Sequence, residues 1–324
     1  MNRKPLFWIL DDEWPDHELE INTLKEAFPE ADIRLTGSGF EQDLADFGKD
    51  ADLIVTQISY SFTREILQTL HNCRGIAVSG SGYNNIDVQA AAELGIPVTN
   101  VNGYCAEDLA DYVLAAIFHF NKSLGLFSSN IRSGLWGAPA VPAPIHRISS
   151  QTLFVMGFGY IGRVTAQRAK ALGMKVLVYD PFVSAAAAEE CGVEVVELED
   201  GLRRADFVTI HVKLTDETRG LVGMEQFRLM KPSAVLINVS RGPLIREPDL
   251  IEALNQGVIA AAVLDVVTNE PIPADDPLLD AKNILITPHV SYASEEAMID
   301  LRRRTVENGL AMFRGEKPRD LVRV

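Results

Sequence analysis

An α/β fold built from two doubly wound parallel-sheet domains is predicted by three features of the sequence. Short apolar strands alternate with helical stretches twice over, from residue 5 to 100 and again from 152 to 288, a pattern that lays helices on the faces of a parallel sheet. The 324 residues exceed what one ordinary core organises and suit two domains of moderate size. A glycine pattern at the head of the second series directly follows an apolar strand, where a Rossmann-type sheet turns into its first helix.

In the first series the strands read PLFWIL, ADIRLT, DLIVTQ, RGIAVSG and IPVTNV, with helices over 16–28, 63–70 and 87–94. Asp108 to Leu126 then reads as one long apolar-rich helix. Its acids lie at the N-terminal end, where the helix dipole favours them. Pro and Gly crowd the tract RSGLWGAPAVPAPIHR, so 130–150 is expected to be an irregular connection. The second series runs TLFVMG, a helix at 161–172, KVLVYD, VEVV, FVTIHV, AVLINV, a helix at 247–255, AAAVLDV and NILITP. Glu295 to Arg314 is amphipathic and strongly charged, and is expected to be a surface helix.

Thirty Lys and Arg against 45 Asp and Glu give a formal charge of -15. Such a surface repels a nucleic-acid backbone or an anionic membrane, so neither is expected as a partner. An anionic substrate must instead be held by locally placed cations and backbone N–H groups. The apolar run near the N-terminus is five residues long before a group of acids, too short for a signal segment or a spanning helix. A cytoplasmic location is expected. Cys73, Cys105 and Cys191 are widely spaced and form no C-x-x-C pair, so they read as buried reduced thiols, and no metal site is expected.

Gly157, Gly159 and Gly162 form G-x-G-x-x-G in GFGYIG, between the strand TLFVM and a helix starting near Tyr160. The first glycine permits the tight turn, the second lets a pyrophosphate approach the backbone, and the third lets helix and strand pack closely. The strand KVLVY ends in Asp180, 18 residues beyond the third glycine. A carboxylate there accepts hydrogen bonds from ribose hydroxyls and repels a 2'-phosphate, which favours NAD over NADP as the cofactor.

Three further segments lie where strands of this sheet should end: NVSRGP around Arg241, LDVVTNEP around Glu270 and LITPHVSYAS around His289. Hydride transfer to a ketone needs a proton delivered to the carbonyl oxygen, and His exchanges protons best near neutral pH. His289 is therefore the candidate acid and base. Glu270 is the carboxylate expected to favour its protonated form and fix the ring, and Arg241 the planar two-pronged donor for a substrate carboxylate. Singly, each residue type more often serves a plain structural purpose. Their joint placement at strand ends is the signal.

The chain resembles the D-isomer-specific 2-hydroxyacid dehydrogenase family over essentially its whole length. The matching segments are GSGYNNID at 80–87, GFGYIG with Asp180, HVKLTDETRG at 211–220, INVSRGPLI at 237–245, AAVLDV at 261–266 and NEPIPADDPLLDAKNILITPH at 269–289. YCAEDLAD at 104–111 is most similar to the branch of C-terminal-binding-protein-like dehydrogenases. The resemblance implies a Rossmann-type NAD domain, 102–290, inserted in a flavodoxin-like substrate domain, 1–101 with 291–324, and an active site in the cleft between them. It also implies a homodimer through the NAD domain and its long preceding helix. Arg241, Glu270 and His289 fall on the family's catalytic Arg, Glu and His, and the backbone N–H groups of Ser81 and Gly82 fall where the substrate carboxylate is held.

By the same resemblance, Tyr160 and Ile161 meet the pyrophosphate, Val239, Ser240 and Arg241 contact the cofactor, and Asp265 holds the nicotinamide amide. Without a cofactor contact, Asp265 would be a strand-end acid in solvent. His211 falls near the nicotinamide ribose and reads as structural rather than catalytic. Lys213 stands where the family commonly has Pro and adds a cation near the cofactor edge. Asn84 replaces the usual Asp, Asn102 a usual Pro, and Ser291 to Ser294 depart from the usual small-residue run. The activity implied is NAD-dependent interconversion of small 2-keto and D-2-hydroxy acids. An NAD(H)-sensing corepressor-like protein and a formate- or phosphite-type dehydrogenase are the alternatives. The retained Arg, Glu and His argue against the first, and Glu270, where formate enzymes carry Gln, against the second.

Overall fold

The computed structural model describes residues 3–11, 14–141, 144–183 and 185–323. Asp12 and Glu13 of the N-terminal acidic run, and Pro142 and Ala143 of the Pro- and Gly-rich tract, lie outside the described residues. The chain divides into two compact units, Met1–Tyr104 with Ser294–Val324, and Cys105–Ala293.

The first unit begins with β1 (Leu6–Leu10), α1 (Glu18–Ala27), β2 (Asp32–Leu35), α2 (Phe40–Asp46), β3 (Leu53–Thr56), α3 (Arg64–Leu67), β4 (Ile76–Val78), α4 (Val88–Glu93) and β5 (Val98–Thr99). Its sheet has the order β2-β1-β3-β4-β5, parallel throughout, which is the flavodoxin-like winding. All five residues of β1 are buried, and their side chains alternate between the two faces of the sheet. Trp8 and Leu10 join Ile54 and Ile76 on one face, and Phe7 and Ile9 join Leu53 and Val55 on the other. Both faces are therefore covered, as an all-parallel sheet requires. The short α2 had no signal in the sequence, since seven residues carry less than two full turns of periodicity.

The second unit runs α5 (Ala106–Lys122), α6 (Leu124–Arg132), β6 (Thr152–Met156), α7 (Tyr160–Ala171), β7 (Lys175–Tyr179), α8 (Ala185–Cys191), β8 (Glu194–Val195) and α9 (Leu198–Arg204). It continues with β9 (Phe207–Ile210), α10 (Met224–Leu229), β10 (Val235–Asn238), α11 (Glu247–Gln256), β11 (Ala261–Leu264) and β12 (Ile284–Ile286). The sheet order is β12-β11-β10-β9-β6-β7-β8. The winding reverses between β6 and β9, the switch point beyond whose carboxyl ends ligands bind in Rossmann-type sheets.

Several expectations need correction. The single helix over Asp108–Leu126 is two, because Ser123 takes a left-handed conformation (φ 47) and donates its N–H to His119 O, which ends α5. Helical structure then extends to Arg132, and the irregular tract beyond it contains single turns at Ala138–Ala140 and Ile148–Ser150. Of the three cysteines only Cys105 is buried as a residue. Cys73 and Cys191 are intermediate.

The final helix, α12 (Glu295–Arg314), belongs to the first unit and is more than a surface helix. Val306 and Leu310 pack with Phe7, Leu53 and Ala77. A Cβ at Gly309 would stand 3.2 Å from Leu53, so the small residue sets how close the helix lies to β3. Arg304 is buried and pairs with Asp320 at 3.0 Å. No helix among the described residues is long and apolar enough to cross a membrane.

Candidate active site

The turn after β6 is shaped by what its glycines lack. Gly157 has φ 90, and a Cβ there would stand 2.6 Å from the carbonyl oxygen of His211. A Cβ at Gly162, in the first turn of α7, would collide with the Gly157 carbonyl. Gly159 by contrast faces open space, with no heavy atom within 4 Å of where its Cβ would be. It precedes α7 and supplies no side-chain cap, so the first N–H groups of that helix retain their donor capacity. Tyr160 is exposed, Ile161 half-buried and Gly162 buried.

Asp180, one residue beyond β7, accepts from Phe158 N–H at 2.7 Å and Phe182 N–H at 2.8 Å, which ties the glycine turn to the strand carrying the acid. A bare helix N-terminus, an unobstructed glycine and a strand-end carboxylate beside the same turn fit the pyrophosphate and ribose of a dinucleotide.

Arg241, Glu270 and His289 follow β10, β11 and β12 respectively, all three within the second unit. His289 Nδ1 and Glu270 Oε2 are 2.7 Å apart, and Glu270 Oε1 accepts the Val267 N–H at 3.0 Å. Partial burial works to raise the Glu270 pKa. The hydrogen bond and charge of His289, the Val267 N–H and the charge of Arg241 overcome it, so the net shift is downward and the group is a carboxylate at neutral pH.

The Arg241 loop lies against the Val267 backbone because Gly242 has no side chain, where a Cβ would overlap it. Arg241 Nη1 donates to Ser240 O at 2.7 Å. Buried Asn238 accepts from Ser240 N–H at 3.0 Å and donates to Arg241 O at 2.9 Å, and Ser240 Oγ donates to Ile210 O at 2.8 Å, so the loop is bound to the ends of β9 and β10. Val239 is buried beneath it.

Asp265 is not a solvated strand-end acid: it is 1% exposed. Its Oδ1 accepts from Thr287 Oγ1 at 2.6 Å and Val290 N–H at 2.9 Å, and its Oδ2 from Ser291 N–H at 2.8 Å. Its carbonyl accepts the His289 N–H at 2.8 Å. His289 itself has φ 54, a left-handed conformation unusual for a residue with a Cβ.

His211 stands apart from this group in chemistry. Its Nε2 lies 3.1 Å from Thr209 Oγ1, while its buried Nδ1 meets no partner. Burial pushes its pKa down to about 3, so it is neutral at physiological pH and has no acidic proton to give. Lys213 is exposed, and its carbonyl accepts from Thr218 Oγ1 at 2.7 Å.

In the first unit the Ser81–Gly82 turn follows β4. Ser81 Oγ donates to Val101 O at 3.1 Å, and Asn100 Nδ2 donates to Ser81 O at 2.7 Å and to Asn102 Oδ1 at 3.0 Å. The departure at Asn102 thus supplies half of an amide pair that braces this turn.

Three residues of the second-unit site escaped the sequence reading: Asn238, Thr287 and Tyr112, whose hydroxyl lies 2.5 Å from Thr287 Oγ1. Only Asn238 left a trace, as a polar residue closing the apolar run VLIN. Among the described residues no group of His, Cys, Asp or Glu could hold a metal ion.

Comparison with known proteins identifies the family. Residues 114–291 match the NAD binding domain of D-isomer specific 2-hydroxyacid dehydrogenases. The chain is 38% identical over 276 residues to a glyoxylate reductase of Korarchaeum cryptofilum, covering 85% of this chain and 83% of that one. It is 38% identical over 263 residues to a hydroxypyruvate reductase of Blautia hydrogenotrophica, covering 80% and 81%. The crystal structure of a D-lactate dehydrogenase with NAD+ from Lactobacillus jensenii superposes with a TM-score of 0.79 at 25% identity, over 98% of this chain and 100% of that one. With its two parallel sheets and its glycine turn at the switch point, the chain belongs to the D-isomer specific 2-hydroxyacid dehydrogenase family and is an NAD-dependent oxidoreductase.

Proposed function

We propose that this enzyme interconverts a small 2-keto acid and the corresponding D-2-hydroxy acid, with His289 as acid and base, Glu270 orienting it and Arg241 binding the substrate carboxylate and carbonyl. The observation that carries the reading is the 2.7 Å pair of His289 and Glu270 on the strand ends that also bear Arg241. The names of the two relatives, a glyoxylate and a hydroxypyruvate reductase, support substrates of two or three carbons.

Bound NAD supplies or accepts the hydride at C2. The protein supplies the rest. Because Nδ1 of His289 faces Glu270, Nε2 is the nitrogen left for the substrate oxygen. In the reductive direction it gives its proton to that oxygen, and in the oxidative direction it takes it back. Arg241 neutralises the carboxylate and draws electron density from the carbonyl, and the N–H groups of Ser81 and Gly82 are further donors to the carboxylate.

For the cofactor, we assign Gly157, Gly159, Tyr160, Ile161 and Gly162 to the pyrophosphate and Asp180 to the adenine ribose. His211, Lys213, Val239, Ser240 and Asp265 are assigned to the nicotinamide side. The second unit pairs with a second copy of the chain to form a homodimer.

NADH consumption with glyoxylate, hydroxypyruvate, pyruvate and a branched 2-keto acid tests the reading. Turnover with at least one, and tighter binding of NADH than NADPH, is expected. Tight NADH binding without turnover of any of them would reject the catalytic assignment.

A further inference from the structure

We propose that Tyr112 is a positioning residue for His289, acting through Thr287 and Asp265; the inference rests on the acid and base role given to His289 above. Tyr112 lies in α5, 175 residues from Thr287 in the chain, yet its hydroxyl is 2.5 Å from Thr287 Oγ1. Thr287 has a single hydroxyl proton and gives it to Asp265 Oδ1 at 2.6 Å. Tyr112 must then be the donor and Thr287 the acceptor in their own bond. Burial and the charge of Asp265 raise the Tyr112 pKa against the opposing pull of the Thr287 hydrogen bond, which keeps the phenol protonated as that donor.

The relay ends at the backbone that carries His289. Asp265 receives Val290 N–H and Ser291 N–H on its two carboxylate oxygens and His289 N–H on its carbonyl. These bonds bracket a residue held at φ 54, a conformation that persists only where its surroundings over-determine it. Thr287 shares Oδ1 of Asp265 with Val290, so the direction of its hydroxyl bears on how that oxygen meets the loop. Tyr112, as donor to the Thr287 oxygen, helps fix that direction. A chain of hydroxyls ending on a carboxylate also polarises each bond in turn. Losing the phenol removes one of the two bonds that fix the Thr287 hydroxyl and leaves the His289 loop less firmly placed, while the NAD turn after β6 keeps all its contacts.

Tyr112→Phe, Thr287→Val and the double variant test the relay, alongside the wild type. Tyr112→Phe is expected to lower kcat about 3- to 10-fold, the range one hydrogen bond commands, with KM for NADH and the thermal unfolding midpoint near wild type. The double variant should be no slower than Thr287→Val alone, since both changes cut one chain. Amide hydrogen exchange at Val290 and Ser291 should quicken in both single variants. Wild-type kcat in Tyr112→Phe, independent losses that multiply, or unchanged exchange at those two amides would each overturn the proposal. A wild-type protein that turns over no 2-keto acid would overturn the assignment of His289 instead. Exchange at Val290 and Ser291 would then decide alone whether Tyr112 holds the loop.

Discussion

His289 sits in a left-handed conformation with its ring nitrogen 2.7 Å from Glu270, and such backbone strain costs on the order of 1–3 kcal/mol per residue. Asp265 offsets it with hydrogen bonds to the three successive N–H groups from His289 to Ser291. The two histidines near the NAD-binding edge differ by environment alone. His211 is kept neutral by burial, whereas His289 faces a carboxylate. Replacing His289 with Asn should therefore cut turnover by about 10²-fold or more while NADH affinity measured by fluorescence titration stays similar. Undiminished turnover would mean another group moves the proton. Arg241, Glu270 and His289 were legible in the sequence because each closes or follows an apolar strand. Tyr112 and Thr287 were not, because a tyrosine within an apolar helix and a threonine before a proline look like ordinary packing until the fold brings them together.

The elements that matter most are short loops after β6, β10, β11 and β12, and glycines set their spacing. Gly162 lets α7 approach the turn that precedes it, and Gly242 lets the Arg241 loop lie on Val267. The long strands and helices were readable from periodicity, and the glycine turn from its position between them. Short α2, α8, α9 and α10 were missed, since six or seven residues hold too little of the helical period, whereas α3 and α4 were read only as the longer stretches 63–70 and 87–94. The break at Ser123 was missed because Ser has no obligatory left-handed preference. The helix beyond that break, α6, leaves Leu124 75% and Ile131 57% exposed, with Trp136 after it 77% exposed. Apolar side chains exposed together on one segment fit an association surface, and the proposed homodimer would cover them. Sedimentation equilibrium should give a dimer that Trp136→Asp weakens. A wild-type monomer at micromolar concentration would reject the pairing.

For the whole molecule, a formal charge of -15 means that an anionic acid and an anionic dinucleotide are bound against the overall field. Local donors must do the holding, and the proposed function assigns that task to Arg241, the uncapped start of α7 and the Ser81–Gly82 turn. Both sheets followed from the repeated alternation of strand and helix. Which sheet the last helix covers did not, because the apolar stripe of α12 would suit either one; the family resemblance implied the first domain, and the helix packs on α1, β3 and β4 of the first unit. In the proposed reaction a hydride is delivered to C2 of a 2-keto acid while the protein supplies the proton. Incubating the enzyme with NADH carrying deuterium at both C4 positions and a turned-over 2-keto acid of three or more carbons, then analysing the product by mass spectrometry and chiral chromatography, tests this. One deuterium at C2 of a D-2-hydroxy acid is expected. Product without the label, or of the L configuration, would contradict it.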